Sequence, residues 1–136
     1  MIRRAERRGQ KGQSTIEALV GSMLLIPICL LGINAVTCVL TNSVNDNLAK
    51  SAARAAANQQ SKVAAEDAAK QCISHFPKSA IILDVQLADA ITYVDKKHVA
   101  VKTTMQIKLP ASFAGFDKLQ FNAQAVEPIV GVPADV

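Results

Sequence analysis

The chain has no tryptophan, one tyrosine, two histidines and three cysteines, and no charged residue stands anywhere between positions 18 and 40. Scarce aromatics remove the stacking platform that a nucleic-acid interface needs, so the basic pI of about 9.1 calls for another explanation. The excess charge lies in the first twelve residues. There Arg3, Arg4, Arg7, Arg8 and Lys11 stand against Glu6 alone. The rest of the chain balances ten Lys and Arg against ten Asp and Glu, so no basic face is expected and no nucleic-acid partner.

The cysteines form an odd set without a CxxC pair. Cys29 and Cys38 fall on opposite sides of one helix at 100° per residue and cannot bridge each other, so both are read as small apolar packing residues. Ile28 and Thr37, which precede them, are not the small residues that a lipid-attachment signal wants. Cys72 is a lone thiol expected on a partly buried helix face. His75 and His98 lie near a helix end and in a turn, without further ligands at metal spacing, so no metal site is expected. Ser74 and His75 are helix neighbours pointing about 100° apart, which excludes a nucleophile–base pair. Asp84, Asp89 and Asp95 read as strand-face and turn carboxylates. With no P-loop, dinucleotide turn or HExxH, the expectation is a protein that is not an enzyme and takes no cofactor.

What the chain does have is a long apolar run. Residues 18–40 would make a helix of about 34 Å, enough to cross a hydrocarbon core of roughly 30 Å. Arg and Lys crowd its N-terminal side while Thr41, Asn42 and Ser43 follow it, so the N-terminus is expected in the cytoplasm and the remainder outside. A cleaved secretory signal also starts basic and turns apolar. Its apolar core is shorter, however, and Ile33-Asn34-Ala35 has a bulky residue where a small-x-small site needs a small one.

Residues 45–76 are Ala-rich and strongly helix-forming. Leu48, Ala52, Ala55 and Ala56 share one face. Ser61 is placed to cap a second helix with Val63, Ala65, Ala69, Cys72, Ile73 and Phe76 on its apolar side, and Pro77 ends the helical region. The period then changes to two. Ile81, Leu83, Val85 and Leu87 alternate, as do Val99, Val101, Thr103, Met105, Ile107 and Leu109, each pattern an antiparallel strand with one wet face. Residues 91–94 should pair back onto the long strand through a turn at Asp95-Lys96-Lys97-His98, and residues 119–126 should form a last strand after a loop at 110–117. Residues beyond Pro128 are expected to be loose. The expected fold class is α+β: a long N-terminal helix, transmembrane and then extracytoplasmic, followed by a small antiparallel sheet packed on the C-terminal helix. The expected organisation is a leader at 1–12, a membrane helix with its assembly segment at 13–41, a helical region at 42–77 and a sheet module at 78–136.

A glutamate at the head of a membrane span needs explaining, because a carboxylate in hydrocarbon costs several kcal/mol and marks function by default. Glu17 is that residue, in Gly12-Gln13-Ser14-Thr15-Ile16-Glu17. A cut after Gly12 would make Gln13 the N-terminus and Glu17 the fifth mature residue. This resembles the class III signal of type IV prepilins and pseudopilins, and over about residues 3–57 it is most similar to TadE-like minor pilins of the tight-adherence (Tad/Flp) system. The likeness rests on the Arg-rich leader, Gly12-Gln13, Glu17, Leu25-Ile26-Pro27, Gly32-Ile33 and Ala52-Ala53-Arg54-Ala55-Ala56-Ala57. Beyond residue 57 it is one of architecture. Ala18 replaces the Tyr of major Flp pilins, Gln13 replaces the Phe of classical type IV pilins, and the chain is longer than a major Flp subunit, all of which favours a minor subunit.

The resemblance implies cleavage by a prepilin peptidase between Gly12 and Gln13, an uncleaved membrane helix, and a Glu17 that takes part in assembly. The implied partners are that peptidase, other pilin and minor pilin subunits, an inner-membrane assembly platform and the lipid bilayer. The implied place is the bacterial inner membrane, single-pass, with possible incorporation into an extracellular filament. The rival expectation is a single-pass or secreted binding domain unrelated to pili.

Overall fold

The computed structural model describes residues 10–94, 97–113 and 115–130, and Arg3, Arg4, Arg7, Arg8, Asp95 and Lys96 lie outside them. The fold is α+β. A single helix, α1 (Gln10–Ala57), runs 48 residues, about 72 Å at 1.5 Å per residue. It joins the expected membrane segment to the expected extracytoplasmic helix without a break and passes through Pro27. Hydroxyls along its apolar part satisfy themselves inside the helix. Ser22 donates to the Leu19 carbonyl and Thr37 to the Ile33 carbonyl, at 2.8 and 2.9 Å.

α2 (Lys62–Ser74) begins at Ser61, whose side chain accepts from the Ala64 N–H, as the sequence predicts. Its buried residues are Ala65, Ala69 and Ile73, with Cys72 and Phe76 half-buried. Val63 departs from the expected stripe: in the first turn, beyond the edge of the packed face, it stays 72% exposed.

The sheet has four strands, all antiparallel: β1 (Ile82–Leu87), β2 (Thr92–Val94), β3 (His98–Phe113) and β4 (Phe116–Pro128). β3 is its axis. β4 pairs along one edge from His98 to Lys108, while β1 and β2 share the other, β1 against 103–107 and β2 against 98–100. The loop expected at 110–117 is mostly strand. β3 continues to Phe113, β4 starts at Phe116, and the turn between them holds Gly115 at φ +84°, a backbone state that glycine adopts without strain. Pro110 fits because the register shifts between Lys108 and Phe113, where no ladder N–H is required of it. Residues 129 and 130 are not loose either: the Ile129 N–H bonds the Lys97 carbonyl, and the Val130 N–H bonds the carbonyl of Ala57, the last residue of α1.

The sheet packs chiefly on the C-terminal part of α1, and α2 packs against α1 and β1. One core cluster joins Ala49, Ala52, Ala53, Ala56 and Ala57 to Ala65 and Ala69 of α2 and to Val99, Val101, Ala123 and Ala125 of the sheet. The second joins Leu48 to Met105, Ile107 and Leu109, with Cys38, Leu119 and Phe121 against it. Alanine lets the layers approach closely, and the larger strand residues supply the buried area, about 1.5–3 kcal/mol for each fully buried Val, Ile or Met.

Candidate functional site

α1 presents two different surfaces. Residues 14–33 are exposed, apart from a half-buried Pro27, and include Ile16, Leu19, Val20, Met23, Leu24, Leu25, Ile26, Ile28, Leu31 and Ile33, each at least half exposed. Twenty residues at 1.5 Å each give about 30 Å, the thickness of a hydrocarbon core. Among the described residues this is the one helix long and apolar enough to cross a membrane.

Glu17 stands near the start of this bare stem. It is exposed, and among the described residues no basic group pairs with it. Ser14 and Gly21 lie three residues before it and four after it, on the same helix face. A side chain added at Gly21 would meet nothing within 4 Å. The carboxylate is thus flanked by two small residues, with room for another backbone to come close. Lys11, Gly12 and Gln13 belong to the first turns of α1. Glycine there lowers helix stability by roughly 0.5–1 kcal/mol relative to Ala, so this turn unwinds at less cost than its neighbours. Cys29 is exposed on the stem, whereas Cys38 and Cys72 pack on the core as expected.

Where the stem ends, two asparagines join helix to sheet. Asn34 donates from Nδ2 to the Ala111 carbonyl at 2.7 Å and accepts from the Ala111 N–H at 3.2 Å, replacing the missing ladder partner of β3 in its irregular stretch. Asn45, wholly buried, accepts from the Thr103 hydroxyl at 2.9 Å and donates to the Phe121 carbonyl at 3.2 Å. With Cys38, Thr41, Leu48 and Ala52 these residues step by four and three along one face of α1. Sequence reasoning followed this stripe only from Leu48 onward, since polar residues at its head hid its continuation.

The outer face of the sheet is wet, with a shallow polar hollow lined by Asp84, Gln86, Thr104, Gln106 and Gln120. Asp84 is held by Lys78 at 3.1 Å and by the Gln86 amide, and these hydrogen bonds, Lys78's first, keep its carboxyl below the usual range. Asp89 meets Lys102 at 3.5 Å. Burial, and then the Glu66 carboxylate, raise the Tyr93 phenol above its ordinary value. The His75 ring donates from Nδ1 to the Gln71 carbonyl as part of the α2 cap. Among the described residues no three His, Cys, Asp or Glu side chains are grouped to hold a metal ion. Compared with known proteins, the chain matches no family model, no curated protein and no solved structure.

Proposed function

We propose that this chain is a minor pilin-like subunit, cut by a prepilin peptidase between Gly12 and Gln13 and assembled through its N-terminal helix into, or at the base of, a Tad/Flp-type pilus. The observation that carries the reading is the exposed Glu17, without an ion-pair partner among the described residues, at the head of a bare apolar stem about 30 Å long, five residues past Gly12. A stem uncovered on all sides trades lipid contacts for contacts with other stems at little net cost, because both are apolar. A charge within it does not, and it demands a partner.

Hydrolysis of the Gly12–Gln13 bond supplies that partner. The freed α-amino group of Gln13 has a pKa of about 8 and is largely protonated at neutral pH. Placed against the Glu17 carboxylate of a neighbouring subunit, it offsets the cost of holding both charges away from water and sets the axial register. The small residues around Glu17 leave space for that approach. Arg3, Arg4, Arg7, Arg8 and Lys11 hold the leader on the cytoplasmic side, where the peptidase meets the scissile bond. The other partners are fellow pilins and the inner-membrane assembly platform.

Intact mass of the chain from membranes containing the peptidase tests the reading. A mature N-terminus at Gln13 is expected, and Gly12→Leu should leave the precursor heavier by residues 1–12. An N-terminus at Met1 would leave an anchored binding module instead. Glu17→Gln should be cut normally yet be recovered with sheared filaments at a small fraction of the usual level. Normal recovery would reduce Glu17 to an interfacial residue.

A further inference from the structure

In the β3–β4 hairpin, β4 has one paired edge and one bare edge. The Ile129 N–H bonds the Lys97 carbonyl at 2.8 Å, and the register holds without a shift from His98↔Pro128 to Lys108↔Lys118, so the odd-numbered residues of β4 turn their backbone groups to β3. The even ones, Lys118, Gln120, Asn122, Gln124 and Val126, turn theirs away, and among the described residues nothing bonds those N–H groups. Proteins blunt such edges with short strands, bulges, prolines or charges. The opposite edge of this sheet is blunted in that way: β1 and β2 have six and three residues, and the β1 register shifts between Ile82 and Asp84. From Leu119 to Val126, by contrast, β4 has no charge, no proline and no bulge.

We propose that the bare edge of β4 is a docking site for an extended segment of a different protein, which adds a strand to the sheet. Its alternate side chains meet two surfaces. On the inner side, half-buried Leu119 and Phe121 pack on Leu48, Met105 and Ile107 and call for apolar neighbours, while on the outer side Gln120, Asn122 and Gln124 call for polar ones. Lys118 stands opposite Lys108, and among the described residues neither meets a carboxylate. A carboxylate on the added strand level with Lys118 relieves that like-charge pair. A second copy cannot be the donor, a step that rests on the membrane-anchored reading of α1. β4 ascends with α1, Phe121 beside Asn45, Glu127 beside Arg54 and Val130 beside Ala57. Joining two β4 edges antiparallel points the stems in opposite directions. Joining them parallel turns one sheet over, and because about 18 Å of helix accompanies about 30 Å of strand between the first and last of these contacts, the stems diverge by about 100°. Another copy's β1–β2 edge is the short, broken one.

Hydrogen exchange of the full-length chain in micelles tests this, with a synthetic peptide alternating Val and Thr and carrying Glu at each end as the probe. Without peptide, the N–H groups of Gln120, Asn122, Gln124 and Val126 should exchange about tenfold or more faster than those of Phe121, Ala123 and Ala125. With it, the even set should slow by about tenfold or more while the odd set stays as it was. The same peptide N-methylated along its length should protect nothing. Gln124→Pro removes an edge N–H and spares the β3 ladder, so it should keep the unfolding midpoint yet abolish the protection. Lys118→Gln should weaken peptide binding by about threefold or more. An even set already slow without peptide would mean a closed edge, and slowing that grows with chain concentration would make the occupant a second copy. Equal protection by the methylated peptide would mean adsorption through side chains, and no protection by either would leave the edge without affinity for a strand. Each of these four results overturns the proposal. None bears on the Gly12–Gln13 cut, whose failure shows in the intact mass alone.

Discussion

The two parts of α1 share one continuous backbone but answer to different surroundings. Residues 14–33 are built from large aliphatic side chains and are bare. Residues 34–57 turn one face, mostly Ala with Asn34, Thr41, Asn45 and Leu48, to the strands and α2, while Val36, Val39 and Leu40 on the other side stay exposed. Size runs opposite to burial: the bulky residues face outward and the small ones lie inside. A water-soluble helix would show the reverse: the first part is long and apolar enough to cross a membrane, and the second packs closely against protein.

The largest expected effect comes from charging each part in turn. Leu25→Arg should cost about 2.5–3.5 kcal/mol of membrane insertion and shift the chain out of the carbonate-resistant membrane fraction. Ser51→Arg, at an exposed site on the covered part, should change denaturant stability in micelles by less than about 0.5 kcal/mol. Equal behaviour of the two variants would erase the distinction between the parts. Next comes the buried polar link. Asn45→Ala strands the Thr103 hydroxyl and the Phe121 carbonyl, and unfolding in detergent should show a loss of about 1–3 kcal/mol.

Volume sharpens the comparison further. Ala52→Leu adds bulk at a site with no exposure and should cost about 1–3 kcal/mol in the same unfolding measurement, whereas Ala18→Leu adds it to open surface and should be close to neutral. The smallest effect is electrostatic and lies away from both parts. Because the folded carboxyl of Asp84 is lowered, its contribution is present above the unfolded carboxylate pKa of about 3.9 and fades as pH falls through the folded value. Asp84→Asn should therefore remove that small contribution at neutral pH, leave stability below the folded value unchanged, and so flatten the acid end of a stability–pH profile. A neutral-pH loss as large as that of Asn45→Ala would mean that Asp84 is structural.

Local rules made much of this legible from sequence. The charge-free run, the Ser61 cap and the period-two alternation of β3 each need only neighbouring residues, and each appears where the pattern puts it. In β1, by contrast, a register shift between Ile82 and Asp84 breaks the expected alternation, so Ile82 packs on the core and Ile81 is exposed. Long-range pairing was not legible. Asn34 and Asn45 find their partners 77 and 58 residues away, so nothing beside them in the chain marks them as interior. The same bonds explain why the hairpin extends through Pro110, a residue that read as loop. Gly12 and Glu17 show the converse: the pattern is visible in the chain, but the partners proposed for it belong to other molecules.

The bond from the Val130 N–H to the Ala57 carbonyl has a practical consequence for anyone attaching cargo to this protein. Residue 130 leaves the fold beside the end of α1, about 35 Å of helix from the level of Asn34 and on the opposite pole from the hairpin tip. A label or displayed peptide joined after Val130 starts from that distal pole, clear of both the stem and the asparagine links. Residue 130 is accordingly the point of choice for tethering, imaging or antigen display.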